Sequence, residues 1–293
     1  MTVSLIAAQF LSGLTTAMFL FLIASGLSLV FGVMRVLNFA HGSFYMIGAY
    51  LAWQIVTWIE PEGGGFWLAA LGAAVGVAIL GGIAERVLLR YLYGVDELYQ
   101  LLLTYALVLI LGDAAKYTWG TQQLSVHTPP LLDGEFHLLG VTVPLYNLFI
   151  ILLGPAIAVG GWLVLSRSSA GRLLRAAAYD RDMLSALGAN VGMLYTGMFV
   201  ASSFLAGLAG ALITPVESIV PGMDVQVIVQ AFIVIVIGGL GSFWGTFWGA
   251  VIYGQVLSFG ILILPEFSLF SVFALMAVVL ILRPWGMFGR PIR

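Results

Sequence analysis

The sequence predicts an all-α fold: a polytopic membrane helix bundle of about nine transmembrane helices, within a range of about eight to ten. Three observations carry that prediction. Hydrophobic residues make up 61% of the 293 positions, and charged residues only 8%. Uncharged runs such as Met1–Met34 and Val225–Pro265 far exceed the roughly 20 residues that span a bilayer core. The few charges fall in clusters between such runs, where loops would meet water. A soluble fold with so apolar a core would need far more polar surface than this chain has.

The first helix is predicted over about Leu5–Phe31. Its leading stretch lacks the basic region of a cleaved signal peptide and is too long for one, so it is read as a retained helix. A second helix covers about Gly42–Ile59 and ends at an acidic, glycine-rich turn from Glu60. The third, about Phe66–Ala84, is followed by a polar loop marked by Glu85, Arg86 and Arg90. The fourth, about Leu101–Trp119, carries Asp113 and Lys116 near its end.

Residues Gly120–Val143 form one long polar excursion with Pro129, Pro130, His127 and His137. Its Val141–Tyr146 portion is either a short strand or the lead into a fifth helix, about Leu145–Leu165. A charged loop over 167–190 comes next, then a sixth helix, about Val191–Ile213. Pro215, Glu217, Pro221 and Asp224 mark an acidic loop without bases. Val225–Pro265 is too long for one span and is broken at Gly238–Ser242, which divides it into a seventh and an eighth helix. The ninth, about Leu269–Leu282, stops at Arg283–Pro284.

These elements form a single transmembrane domain, 1–293, with half-repeats over about 1–143 and 144–293. An odd number of crossings puts the two termini on opposite sides. Arg35, Arg86, Arg90, Arg167, Arg172, Arg175, Arg181, Arg283, Arg290 and Arg293 then share one side, and only Lys116 does not. The positive-inside rule makes that side cytoplasmic, which places the N-terminus in the periplasm and the C-terminus in the cytoplasm of a cell with an inner membrane. Lys116 pairs with Asp113 on the same helical face or snorkels outward. Small residues spaced by four (Gly241, Gly245 and Gly249; Ser203, Gly207 and Ala211; Ala69 and Ala73) suit close helix packing.

The absence of cysteine excludes disulfides, thiol catalysis and thiolate metal sites. No His, Asp and Glu set has metal-ligand spacing, and no Ser-His-Asp arrangement can be built from acids that lie in loops. No G-x-x-x-x-G-K-[ST] motif occurs, so no ATPase site is expected in this chain, and the glycines near Gly238 do not form a dinucleotide fingerprint. Lipid is the bulk partner, and nucleic acid is not expected.

Two segments, Val36–Tyr50 and Ile237–Tyr253, each show a helix break followed by an aromatic, glycine-spaced helix. Interrupted helices in corresponding places of two halves point to a transport pathway at their interface. The candidate pathway residues are Asn38, His41, Gly42, Ser43, Gly238, Gly239, Gly241 and Ser242. His41 could contact solute, relay a proton, or tie a helix end to a carbonyl. In the charged loop, Arg172–Leu187 winds as one amphipathic helix with Leu173, Ala177, Leu184 and Leu187 on one face and Arg175, Tyr179 and Asp182 opposite. Asp180 falls within the apolar stripe. Gly188 suits the C-terminal cap and Asn190 the start of the next helix. Such a helix suits a groove on a partner protein.

Three stretches, GLSLVFGVMRVLNFAHGSFYMIGAYLAW (Gly26–Trp53), RAAAYDRDMLSALGANV (Arg175–Val191) and VIVIGGLGSFWGTFWGAVIYG (Val234–Gly254), closely resemble the LivH-type permease of branched-chain amino acid ABC importers. The resemblance implies a second, LivM-like permease, two cytoplasmic ABC ATPases that use the ATP, and a periplasmic substrate-binding protein. It also implies that Arg175, Ala176, Asp180 and Gly188 couple this chain to the ATPases. The chain departs from the pattern at Tyr179, where an acid or amide is common, and at Ser43, where an acid often follows. Urea permeases share much of the signature, so importers of urea, small amides or carboxylates are the alternative. An ion-coupled secondary transporter would place ionisable groups at mid-membrane, where His41 is the candidate. A membrane enzyme would need convergent acid, base or metal residues, and none is visible.

Overall fold

Inside a bilayer a backbone must satisfy its own polar groups, so long uncharged runs fold as helices. The structure, a computed structural model, describes residues 3–59, 65–138, 140–263 and 265–289. Its helices are α1 (Val3–Met34), α2 (Ala40–Ile59), α3 (Phe66–Val87), α4 (Glu97–Trp119), α5 (Leu145–Arg167), α6 (Ser169–Tyr179), α7 (Arg181–Ala186), α8 (Val191–Ile213), α9 (Met223–Gly238), α10 (Phe243–Ile263) and α11 (Ser268–Leu282). Seven are long and apolar enough to cross a membrane: α1, α3, α4, α5, α8, α10, and α11 with the 3-10 turn before it. This is a multi-pass, all-α membrane bundle. Adding α2, 20 residues long, and α9, 16 residues long, completes the set of about nine that the sequence predicts.

The bundle is built around α1 and α8. α1 is apolar on every side and is buried along most of its length, as a central helix should be. It packs against α10, α8, α5 and α9, while α8 also packs against α3 and α2. Small residues set these approaches. Gly48 of α2 lies against Gly207 of α8, and Gly81 of α3 against Ser203.

Several sequence expectations need adjustment. Glu85 and Arg86 are not in a loop but in the last turns of α3; Arg90 lies in a 3-10 turn just beyond. Glu85 is buried, accepting hydrogen bonds from the hydroxyls of Tyr93 (2.5 Å) and Thr196 (2.7 Å). Of the two readings of Val141–Tyr146 the strand holds: β2 (Val141–Pro144) pairs antiparallel with β1 (Glu135–Leu138), a partner the sequence reading did not include. Leu124 and Ile219 exchange backbone hydrogen bonds of 3.1 and 2.8 Å, joining this excursion to the loop after α8. Lys116 does pair with Asp113, at 3.1 Å. The turn expected at Glu60–Gly64 and the arginines Arg290 and Arg293 lie outside the described residues.

Arg35, Arg86, Arg90, Arg167, Arg172, Arg175, Arg181 and Arg283 gather at one end of the bundle, called here the basic end. Lys116 lies toward the other end, on the last turns of α4.

Candidate functional site

Two helices begin inside the bundle. α1 ends at Met34 near the basic end, and Arg35 adopts a left-handed backbone (φ 54°) that turns the chain back inward. Residues 36–38 run extended before α2 starts at Ala40. The depth of that start can be measured. His41 Nε2 lies 2.9 Å from the carbonyl oxygen of Ile23, eleven residues before the end of α1, or about 16 Å up from it. A carbonyl only accepts, so the proton is on Nε2 and Nδ1 faces Ser202 Oγ at 3.5 Å. His41 therefore ties a helix start to a neighbouring carbonyl. Asn38 is also buried, and neither of its amide atoms finds a partner among the described residues.

The second such helix is α9. Its first turn meets the first turn of α2: Ser43 donates a 2.8 Å hydrogen bond to Asp224 Oδ2, and Asp224 is only 4% exposed. A Cβ on Gly42 would lie 2.5 Å from the Asp224 carbonyl oxygen, so the two turns touch through a glycine. A buried carboxylate normally needs a cation, yet Asp224 forms no ion pair among the described residues. Its place explains why. It sits in the first turn of α9, whose N-cap Gly222 offers no side-chain cap, and it faces the start of α2. Both helices begin at this junction, so their positive dipole ends meet there. The sequence reading placed Asp224 in a solvated loop, and it missed this junction.

Gly238, Gly239, Gly241 and Ser242 lie at the other end of α9, about 24 Å away along its 16 residues. They form the turn between α9 and α10. Gly239 and Gly241 have φ of 108° and 76°, which only glycine adopts freely, and Gly241 abuts Gly32 of α1. Ser242 Oγ accepts from the Gly245 N–H at 3.1 Å, the bond of an N-cap. The structure thus brings Asn38, His41, Gly42 and Ser43 together with the start of α9, and leaves the Gly238–Ser242 turn apart from them.

Beside the junction is a cavity of about 340 Å³, framed by α1, α2, α5, α9 and the loop after α8. Ile23 and Tyr45 reach it from the junction side, and Glu217 from the loop side, away from the basic end. Surrounding protein desolvates the Glu217 carboxyl and raises its pKa above the usual value, although part of the side chain faces water. Gln226 and Gln230 line it from α9. The only sequence signal for it was those two amides, one helical turn apart in an otherwise apolar helix.

The charged segment is two helices rather than the one predicted. α6 ends at Tyr179, and Asp180 accepts the N–H groups of Asp182 (3.1 Å) and Met183 (2.9 Å) to cap α7. An Asp prefers this role to a place in a helix interior, and the break shifts the helical phase beyond it. Ala177 and Leu184 stay buried against Tyr195, but Leu187, expected on the same face, is 75% exposed with Met183 and Tyr179. Gly188 takes φ 86°, with Gly188 N–H to Ser185 O and Ala189 N–H to Leu184 O closing a Schellman motif. Asn190 caps α8 through Met193 N–H. Arg175 and Ala176 are exposed on α6. Asp180→Ala should lower stability by about 1 kcal/mol while Asp180→Ser does not, because serine also caps; equal melting temperatures for the two would contradict the cap.

No solved structure matches the chain. Among curated proteins, the high-affinity branched-chain amino acid transport system permease protein BraD of Pseudomonas aeruginosa is 31% identical over 97% of this chain and 95% of its own length. The corresponding LivH protein of Escherichia coli K12 is 30% identical with the same coverage. The fructose import permease protein FrcC of Rhizobium meliloti is 28% identical over 42% of this chain and 37% of its own. The family described as branched-chain amino acid transport system / permease component matches residues 9–282, and this chain belongs to it.

Proposed function

We propose that this chain is the membrane-spanning permease subunit of an ATP-driven importer for branched-chain amino acids, set in a bacterial inner membrane. The observation that carries the reading is the near full-length match to permeases named for that transport. The basic end is then cytoplasmic by the positive-inside rule, and the end bearing Glu217 is periplasmic. The chain has no P-loop of its own, so ATP is used by two partner ATPases at the basic end, with a second permease alongside and a periplasmic binding protein delivering solute.

The α6–α7 segment, 167–190, is the coupling surface. Side-chain caps at Ser168, Asp180 and Asn190 stiffen it. Ala177 and Leu184 anchor it to the bundle, leaving Tyr179, Met183 and Leu187 as an apolar strip flanked by Arg175 and Asp182. Exposed apolar strips with charged borders are a mark of protein interfaces. Arg175, Ala176 and Asp180 face the ATPase, and Gly188 ends the docking helix. The half-repeats over 1–143 and 144–293 meet where α2 and α9 begin, so the pathway residues to carry forward are Asn38, His41, Gly42 and Ser43. Gly238, Gly239, Gly241 and Ser242 shape the turn that closes α9 at the cytoplasmic end.

Arg175→Glu and Tyr179→Asp test the coupling assignment. Tyr179 is 95% exposed, so its replacement disturbs no internal packing. Each variant should insert and accumulate normally while co-purifying about tenfold less ATPase, as the loss of one interface anchor implies. Undiminished co-purification of both would refute the assignment.

A further inference from the structure

Buried polar groups in this bundle are mostly paired: His41, Ser43, Glu85 and Tyr146 all make side-chain hydrogen bonds. The cavity beside the α2–α9 junction gathers polar side chains of another kind, half-buried or exposed. Ser12 and Thr16 of α1, Asn147 of α5, Glu217, and Gln226 and Gln230 of α9 converge on it. None of these six side chains makes a hydrogen bond to another described residue. Polar groups around a hollow that are not committed to each other are free to bond a solute that enters it.

The lining specifies what enters. Its volume of about 340 Å³ suits a small molecule. Phe19, Leu20 and Ile23 of α1, Val227 of α9 and Leu257 of α10 give the cavity an apolar surface beside the polar groups. Among the described residues no Lys, Arg or His lines it, and Glu217 is its single carboxylic acid. An anionic solute would lose its water and find no cation. A positively charged amine would find the Glu217 carboxylate, and its charge would offset the desolvation that raises that group's pKa. The neutral amides and hydroxyls can donate to the oxygens of a zwitterion without adding charge.

We propose that this cavity is a solute-binding vestibule for a small primary-ammonium compound with an aliphatic side chain, its ammonium on Glu217 and its side chain against α1 and α9. The inference rests on the importer reading and adds to it the residues that touch the solute. Glu217 is the specificity residue, Gln226 and Gln230 the principal neutral contacts.

The test uses the complete importer in proteoliposomes, fed with leucine-loaded binding protein. Glu217→Gln should cut uptake per assembled complex about tenfold or more, the effect of removing a charged hydrogen-bond partner, while Glu217→Asp restores most of it. Because the chain contains no cysteine, Gln230→Cys introduces its only thiol. Against the background of the unsubstituted complex, that thiol should react with a small methanethiosulfonate reagent from the periplasmic side, and turnover with leucine should slow the reaction severalfold. Wild-type uptake by Glu217→Gln, together with a thiol whose reactivity ignores leucine, would overturn the vestibule and leave the importer intact. An unsubstituted complex that moves urea but no amino acid would overturn the proposed function, and protection of the thiol by urea would overturn the ammonium assignment with it.

Discussion

Asp224→Ala is expected to lower the stability of the folded chain by about 3 kcal/mol and to abolish import. The variant removes the acceptor of the Ser43 hydroxyl, a 2.8 Å charge-assisted bond. It also removes the carboxylate set between two helix starts, whose positive dipole ends would then face each other without it. Asp224→Asn keeps the shape and an oxygen for Ser43 and gives up only the charge, so its loss should be smaller, about 1 kcal/mol. Thermal melting of the purified complex, read alongside uptake, checks both. Equal melting of Asp224→Ala and the unsubstituted chain would show that the carboxylate does not hold the junction. The pair also separates an acid that only holds the junction from one that acts in the transport cycle. An Asp224→Asn complex that melts normally yet imports nothing would assign the carboxylate to the transport cycle.

The helices were legible because each is a long uncharged run ended by charge, proline or a capping residue. α8 starts after Asn190 and α5 after Pro144, close to where the sequence places them. The break at Gly238–Ser242 was legible for the same reason, since the 41 uncharged residues of Val225–Pro265 are too many for one span. Depth was not legible. Nothing in the composition around Asp224 distinguishes an acid in a solvated loop from one buried where α9 begins; the difference is made by the Leu124–Ile219 pairing and by α2 starting beside Ile23, within α1 rather than at its end. The α6–α7 break escaped for a different reason. Apolar residues kept a helical spacing through Asp180, and the cue was Asp180 itself, an awkward residue for the interior of that stripe and a good cap for the next helix. Ser12, Thr16 and Asn147 carried no signal at all, because isolated hydroxyls and amides in membrane helices usually satisfy a local carbonyl.

Gly210→Val should prevent the folded chain from accumulating, whereas Gly160→Ala and Gly112→Ala should leave it unchanged or slightly more stable. All three glycines are in helices, so propensity alone favours every substitution by up to about 1 kcal/mol for alanine. Surroundings decide otherwise. A Cβ at Gly210 of α8 would press into the Tyr45 carbonyl oxygen and come within 3.0 Å of the Ala49 backbone nitrogen. Those atoms belong to the backbone of α2 and cannot rotate away, so the helices must separate. Gly48 and Gly207 make the same contact one turn along, where a Cβ on Gly48 would lie 2.5 Å from the Gly207 carbonyl oxygen. Separation at Gly210 would therefore open the whole α2–α8 seam and pull His41 from Ser202 and Ile23. By contrast, a Cβ at Gly112 or Gly160 meets nothing within 4 Å. Overpacking against movable side chains costs about 1–3 kcal/mol; against fixed backbone the cost exceeds that range and approaches the chain's whole stability of about 5–15 kcal/mol. The yield of monodisperse chain extracted from membranes is the measurement. Normal yield of Gly210→Val would mean that α2 and α8 do not need this close approach.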